Sequence, residues 1–281
     1  MSETESHRVA DPIEAPLIPV IPGLHSSRKR LLLVPGLGQN RAHWGPFARW
    51  LAEHRMALLA VDPAGLAGRC TAPQGTYERV DQMAAALASA CQKNGVTGVI
   101  GHSAGAPPAL LAASHGQINT VTLLEPVPSH FGINGPHPYT DPFVPPSAVA
   151  RTDRLVSTPG EQPSESLRRL HPFASPSTLR TICAAISAQD YLTPSPISQQ
   201  GSAPPTLADR GVRTMDALAH YAGQVLILRG KHSALLSTSH AEFLTSRARK
   251  GIMRTVDRAG HSPHIDAPRA TVVAFLGENA L

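Results

Sequence analysis

Aromatic residues make up only 4% of this 281-residue chain: two tryptophans, four tyrosines and six phenylalanines. Single-stranded nucleic acid is held by stacking bases on such rings, and the chain has too few to build a stacking platform. Cysteine is scarce, with Cys70, Cys91 and Cys183 only. An odd set without CxxC spacing excludes a disulfide framework and a zinc site, and reads as small buried hydrophobes. Charged residues account for 16%. The net charge of +5 is mild and scattered. Its densest basic run, Arg247 to Lys250, reads as the solvated end of a helix, so no nucleic-acid partner is expected. No apolar run approaches the roughly 20 residues of a membrane span. Residues Met1 to Glu5 are polar and acidic, without the cationic and then apolar pattern of a signal peptide, so the expected location is cytoplasmic.

What the chain does have is apolar residues, at 42%, and 27 prolines. The first figure suffices for one sizeable core. The prolines gather before residue 29 and between 126 and 205. Proline at 12, 16, 19 and 22 forbids a helix in residues 1–29, which read as a tail in which Leu17 to Val20 could form an edge strand. From Leu31 onward, short continuous apolar runs alternate with helical stretches. The runs are Leu31–Val34, Ala57–Val61, Val96–Ile100, Val121–Leu124, Val225–Leu228 and, more weakly, Ile252–Val256. Runs without polar alternation suit strands covered on both faces. The helical stretches are Trp44–His54, Arg79–Lys93, Ala104–Ser114 and Ala267–Leu276. Together they predict an α/β fold with a mostly parallel, doubly wound sheet. The alternation breaks over 127–212, where helical hints occur only near Glu165–Leu170 and Ser177–Ala188. A structureless loop of that length is improbable in a compact domain. It is read as an inserted lid or cap, leaving 30–126 and 213–281 as the core.

The chemistry centres on Gly101-His102-Ser103-Ala104-Gly105. This GxSxG follows a predicted buried strand and precedes an Ala/Leu-rich helix, the context of a nucleophile elbow. Ser103 would sit on a sharp turn, and Gly101 and Gly105 would relieve its crowding. The helix start behind it would aim backbone N–H groups at a developing anion. After the first predicted core strand comes Pro35-Gly36-Leu37-Gly38, a loop able to supply the Leu37 N–H as one oxyanion donor beside that of Ala104. Near the C-terminus, Gly260-His261-Ser262-Pro263-His264-Ile265-Asp266-Ala267-Pro268 places a histidine just before a final helix. There Asp266 reads as the cap and Pro268 as a first-turn proline. His261 is preferred to His264 because it directly follows glycine. His102, His232 and the remaining histidines receive no role.

With these segments in view, the chain resembles the α/β-hydrolase superfamily, in its lipase, esterase and lactonase-like branch. The resemblance runs from Leu31 to Leu276, apart from the insertion, and includes Asp62 to Gly68, similar to the family's D-x-x-G-x-G loop. It implies an α/β-hydrolase fold and the order nucleophile, acid, histidine along the chain. Two departures stand out. The oxyanion loop begins Pro35-Gly36 where the family usually has His-Gly. The commoner acid position, in Gly230-Lys231-His232-Ser233-Ala234-Leu235, holds no carboxylate. In haloalkane dehalogenases and a group of resorcylic lactone hydrolases the acid instead follows the strand after the elbow helix, which here ends Leu124-Glu125. The resemblance thus implies Glu125. Asp216, Asp190, or an arrangement in which Ser233 or water holds the histidine remain alternatives.

The expected activity is hydrolysis of a carboxylic ester or lactone of a mostly apolar small molecule, through an acyl-enzyme on Ser103 with His261 as general base. Thioester or C–C bond cleavage on the same scaffold, and a non-catalytic ligand-binding protein, are the competing readings. Gly36 and Trp44 are candidates to line the substrate site, although Trp44 is also placed to pack the core. Phe131, Tyr139, Phe143, Phe173 and Tyr191 could line a pocket or pin the lid. No metal or organic cofactor is implied, and the partner is a small-molecule substrate, with a homodimer as a further option.

Overall fold

The computed structural model describes residues 15, 17–21, 29–36, 39–62, 66, 77–116, 118–133, 162–185 and 206–277. Seven strands form one sheet: β1 Leu17–Pro19, β2 Lys29–Val34, β3 Met56–Val61, β4 Gly98–His102, β5 Thr120–Leu124, β6 Gln224–Gly230 and β7 Gly251–Val256. Their spatial order is β1-β3-β2-β4-β5-β6-β7. Every pairing is parallel except the edge strand β1, which runs antiparallel to β3. Pro19 is tolerated because an edge strand needs only half of its backbone donors.

The apolar runs make strands because both faces of the sheet are covered. Leu32, Val34, Val99, Val121, Leu123, Val225 and Ile227 point into one core. Their neighbours Leu31, Leu33, Ile100, Leu124, Leu226 and Leu228 point into another. The first core is closed by α2 (Tyr77–Lys93), α3 (Ala106–His115), α6 (Thr206–His220) and α7 (Thr238–Arg247), through residues such as Leu87, Leu110, Leu218 and Leu244. The second is closed by α1 (Arg41–Ala52) and α9 (Pro268–Leu276), with Trp44, Phe47, Leu51 and Val272 inside. The product is the three-layer, mostly parallel α/β fold expected from the sequence. Cys91 is buried as a small apolar residue. Cys70 lies outside the described residues.

Residues 127–212 are described only in pieces: a single 3₁₀ turn Pro128–Phe131, and the helices α4 (Pro163–Leu170) and α5 (Pro176–Ala185). The first residues of α6 also belong here. That helix crosses the boundary expected at 212 and buries Leu218 in the main core. The two ends of the segment 127–212 lie close together: a side chain on Gly132 would lie 3.0 Å from the backbone of Gly211. No helix among the described residues is long and apolar enough to cross a membrane.

Candidate active site

Strand register brings the first two site residues together. His102 of β4 pairs with Leu124 of β5, and Leu124 pairs with Leu228 of β6. Ser103 and Glu125 each follow directly on one of those paired ends, so they leave the carboxyl rim of the sheet side by side. Both have left-handed backbone, at φ 50° and φ 51°. For residues with a β-carbon this conformation is strained and persists only where the surroundings enforce it.

At Ser103 the enforcement is steric. The strand turns into the 3₁₀ turn Ser103–Gly105 and then into α3. A β-carbon on Gly101 would fall 2.5 Å from the Gly105 carbonyl oxygen, and one on Gly105 would fall 2.5 Å from the carbonyl oxygens of Val34 and Pro35. Only glycine lets β4, α3 and the end of β2 approach so closely. At Glu125 the backbone N–H donates to the Leu228 carbonyl at 2.8 Å, which continues the ladder one residue beyond the strand.

His261 arrives from the other end of the chain. Its loop is held against β6 by the His232 N–H, which donates to the Ala259 carbonyl at 2.9 Å. A β-carbon on Gly230 would collide with the Gly260 carbonyl oxygen. The ring then spans the two rim residues. Nε2 lies 2.9 Å from Ser103 Oγ, and Nδ1 lies 3.1 Å from Glu125 Oε2. The side chains of Ser103 and His261 are only slightly exposed, and Glu125 is fully buried.

Glu125 receives two further hydrogen bonds, both at 2.6 Å: the Gly230 N–H donates to Oε1 and the Ser233 hydroxyl to Oε2. Burial drives this carboxyl up, to about 8, while Ser233, Gly230 and nearby Arg229 pull the other way. The Ser233 oxygen in turn accepts from the N–H groups of Leu235 and Leu236 at 3.2 and 3.0 Å. Ser233 thus stands in the segment where an acid was sought and instead presents its hydroxyl to an acid arriving from β5. Burial pushes the His261 imidazole down, to about 4. At neutral pH its Nε2 is therefore an unprotonated acceptor facing the Ser103 hydroxyl, provided Nδ1–H points to Glu125. With Glu125 ionised, the form favoured as pH rises through about 8, such an array can deprotonate the serine as it attacks and spread the resulting positive charge toward the carboxylate.

A profile described as "Alpha/beta hydrolase family" matches residues 31–275. The chain belongs to the alpha/beta hydrolase family. No curated protein sequence matches it. Among solved structures, this hydrolase resembles an N-formylmaleamic acid deformylase from Pseudomonas putida S16, with 21% identity, 92% of this chain and 94% of that one covered, and a TM-score of 0.60. A 2-hydroxy-6-oxo-6-phenylhexa-2,4-dienoate hydrolase from Rhodococcus sp. strain RHA1 is similar at 16% identity, 90% and 92% coverage and a TM-score of 0.57. An esterase of M. tuberculosis is similar at 20% identity, 89% and 86% coverage and a TM-score of 0.59. At these identities the similarity speaks for the fold.

The other expected site residues of the hydrolase divide. Gly36 sits against the elbow, where a β-carbon would come 3.1 Å from Ser103 Cβ. Ala104 lies in the 3₁₀ turn beside the nucleophile candidate. Leu37, Asp190, Tyr139, Phe143 and Tyr191 lie outside the described residues, as does most of Asp62 to Gly68. Asp216 is exposed on α6. Trp44 is corrected as a lining residue: it is fully buried and stacks on His264 with centroids 4.2 Å apart. Phe131 joins the main core, whereas Phe173 is 42% exposed and stacks on His232 at 5.2 Å. Asp266 is also corrected. It does not cap α9, because a short turn of helix, α8 (Pro263–Asp266), precedes that element, and its Oδ2 accepts the Gly260 N–H at 2.8 Å. Sequence reasoning missed Asp266 in this role, and left Gln39 and His102 without one. No spacing rule couples these residues to a loop so distant in sequence.

Proposed function

We propose that this protein is a serine hydrolase cleaving a carboxylic ester or lactone of a mostly apolar small molecule through an acyl-enzyme on Ser103. One observation carries the reading: an unbroken run of hydrogen-bond distances, 2.9 and 3.1 Å, from Ser103 Oγ through the His261 ring to Glu125. In the first step His261 Nε2 takes the hydroxyl proton while Oγ attacks the carbonyl carbon. The oxyanion would be met by the backbone N–H of Ala104 and that of Leu37. His261 returns the proton to the leaving alkoxide, giving alcohol and acyl-enzyme. Water then adds with His261 again as base, and collapse releases the carboxylic acid and free Ser103. In its ionised form Glu125 keeps the proton of the resting imidazole on Nδ1 and stabilises the imidazolium.

The test is a panel of aryl esters, alkyl esters and lactones run beside labelling with a fluorophosphonate, with the adduct located by peptide mapping. Turnover of at least one ester or lactone class and a single adduct on Ser103 are expected. An adduct on Ser103 without ester or lactone turnover would move the assignment to thioester or C–C bond cleavage. Neither adduct nor turnover, with firm retention of an apolar ligand, would make the protein a binder. Glu125→Gln is expected to lower kcat by about 10³- to 10⁴-fold, because the amide can donate to Nδ1 and so favour the wrong imidazole tautomer. Near-full activity in that variant, measured on the best ester of the panel, would remove Glu125 from the mechanism.

A further inference from the structure

His261 is held by more than its ring. Its backbone carbonyl oxygen lies 2.7 Å from Nε2 of His102, the residue immediately before Ser103. A carbonyl can only accept, so His102 carries its proton on Nε2. Its Nδ1 is then an acceptor, and it lies 2.9 Å from the side-chain amide oxygen Oε1 of Gln39, the first described residue after Gly36, where two acceptors cannot bond. The amide is therefore assigned turned by 180°, so that its nitrogen donates to Nδ1 and its oxygen takes the place of the nitrogen that lies 3.5 Å from Ser262 Oγ. Three loops are joined by these contacts: the one after β2, the elbow, and the histidine loop.

The surroundings leave the His102 ring little freedom. Trp44 meets it edge-on at 6.5 Å and His264 at 4.6 Å. A β-carbon on Gly36 would come within 2.6 Å of its Nδ1, so glycine there makes room for the ring.

We propose that His102 is a positioning residue: by bonding the His261 carbonyl it ties the backbone of the base to the backbone of the nucleophile and sets the 2.9 Å approach of Nε2 to Ser103 Oγ. Glu125 fixes the rotation of the His261 ring, and His102 fixes where that ring is rooted. The proposal rests on the reading of Ser103 and His261 as nucleophile and base only for its kinetic consequence. Its structural half stands apart from that reading.

The test compares wild type with His102→Phe, which keeps a ring and loses the donor, and with His102→Gln, whose amide N–H can reach the same carbonyl. Two readouts are taken: the second-order rate of fluorophosphonate inactivation, and ¹H–¹⁵N NMR of the histidine rings at neutral pH. Wild type should show His102 protonated on Nε2, and a slowly exchanging His261 Nδ1–H bonded to Glu125. In His102→Phe the inactivation rate should fall about 10- to 100-fold, the cost of misplacing a reacting group by up to about 1 Å. Its ester kcat should fall with KM little changed, and the His261 Nδ1–H should be lost to solvent exchange. His102→Gln should recover both readouts to within a few-fold of wild type. If His102→Phe does not fold, Gln39→Met, which leaves Nδ1 without a donor, should show a smaller loss in the same direction. An Nδ1–H tautomer at His102, or a folded His102→Phe or Gln39→Met with wild-type inactivation and an unchanged His261 proton, overturns the proposal. A wild type inert to fluorophosphonate and esters that nevertheless shows the His102 tautomer, and whose variants lose the His261 proton, supports the positioning role and rejects the hydrolase reading instead.

Discussion

Ser103→Ala is expected to cut turnover of the best substrate by about a millionfold, or roughly 8 kcal/mol of transition-state stabilisation. In the proposed mechanism the hydroxyl forms the covalent intermediate, and water standing in its place would lack the fixed position given by the 2.9 Å contact to His261 Nε2. KM should change little, since one oxygen atom is removed from a side chain that makes no remote contact with the rest of a substrate. The fold should survive. Alanine carries the same β-carbon into the left-handed backbone at φ 50°. The neighbours that crowd it are the backbone and side-chain atoms of the elbow, not the hydroxyl. Thermal unfolding of the variant should lie within a few degrees of wild type. Adding His261→Ala to Ser103→Ala should cost almost nothing more, because the two residues act as one unit. Residual activity in the single variant that is sensitive to fluorophosphonate would betray contaminating wild type. A true residual rate within a hundredfold of wild type would show that the reaction does not pass through Ser103.

The second large effect concerns acid. Five histidines, His43, His102, His171, His261 and His264, have imidazoles held below the ordinary range, with burial the leading cause in each. Two buried acids, Glu125 and Asp266, are pushed up, to about 8 and about 7. The signs oppose one another. As pH falls below about 6.5 the unfolded chain protonates its histidines while the native rings stay neutral, so native stability drops as pH falls toward 4. The two carboxyls keep protons in the native state that the unfolded chain releases above about pH 4, so their contribution drops as pH rises toward 7 and 8. Around pH 5 to 6 the histidines outnumber the carboxyls by three, so unfolding takes up about three protons. Stability should decline by about 4 kcal/mol per pH unit there, a large share of the 5 to 15 kcal/mol typical of a domain. The maximum should fall near neutrality, with a gentler decline toward pH 8. Urea unfolding at intervals of half a pH unit measures the slope directly. A slope equivalent to one proton or fewer between pH 5 and 6 would show that these rings are not held neutral. His264→Phe supplies a control. Neither ring nitrogen of His264 has a hydrogen-bond partner among the described residues, and phenylalanine can keep its stack on Trp44. That variant should be at least as stable as wild type and should lower the slope by one proton.

Much of the scaffold was legible in the sequence because unbroken apolar runs of four or five residues, bounded by helical stretches, suit strands with both faces covered. Leu31–Val34 and Val121–Leu124 fall within β2 and β5 almost residue for residue. The elbow was legible for the same reason, since GxSxG between such a strand and an Ala-rich helix satisfies steric demands that few other sequences meet. The histidine was narrowed by its glycine and by the helix behind it. Glu125 rested on resemblance alone, because nothing in residues 120–126 says whether a carboxylate at a strand end turns inward. Its left-handed backbone and its bonds to Gly230 and Ser233 are properties of tertiary packing. Helix α7 was legible only at its basic end, Arg247, for its Thr-Ser-His start and polar faces carry almost no periodic signal, though Ser237 caps it by accepting the His240 N–H at 3.1 Å. Asp266 was misread because the sequence shows a carboxylate before a proline-started helix, and not that the chain first makes one turn and aims the oxygen back at Gly260. Trp44 illustrates the converse. An aromatic placed just after a glycine loop is equally compatible with a pocket wall and with a core stack, and only its neighbours decide.

The rung shared by His102 and Leu124 works as a ruler. Adjacent strands are spaced about 4.8 Å apart by their hydrogen bonds, so the gap between the residues that follow those two ends is dictated by backbone geometry and not by connecting loops. More than eighty residues separate Glu125 from the start of β6 at Gln224, yet Gln224 and Thr120 still pair at the opposite edge. Changes of length within that stretch that spare Phe131 and α6, which belong to the main core, therefore leave the distance from Ser103 to Glu125 as it is. Engineering of selectivity in this protein should begin there and leave the ends of β4, β5 and β6 untouched.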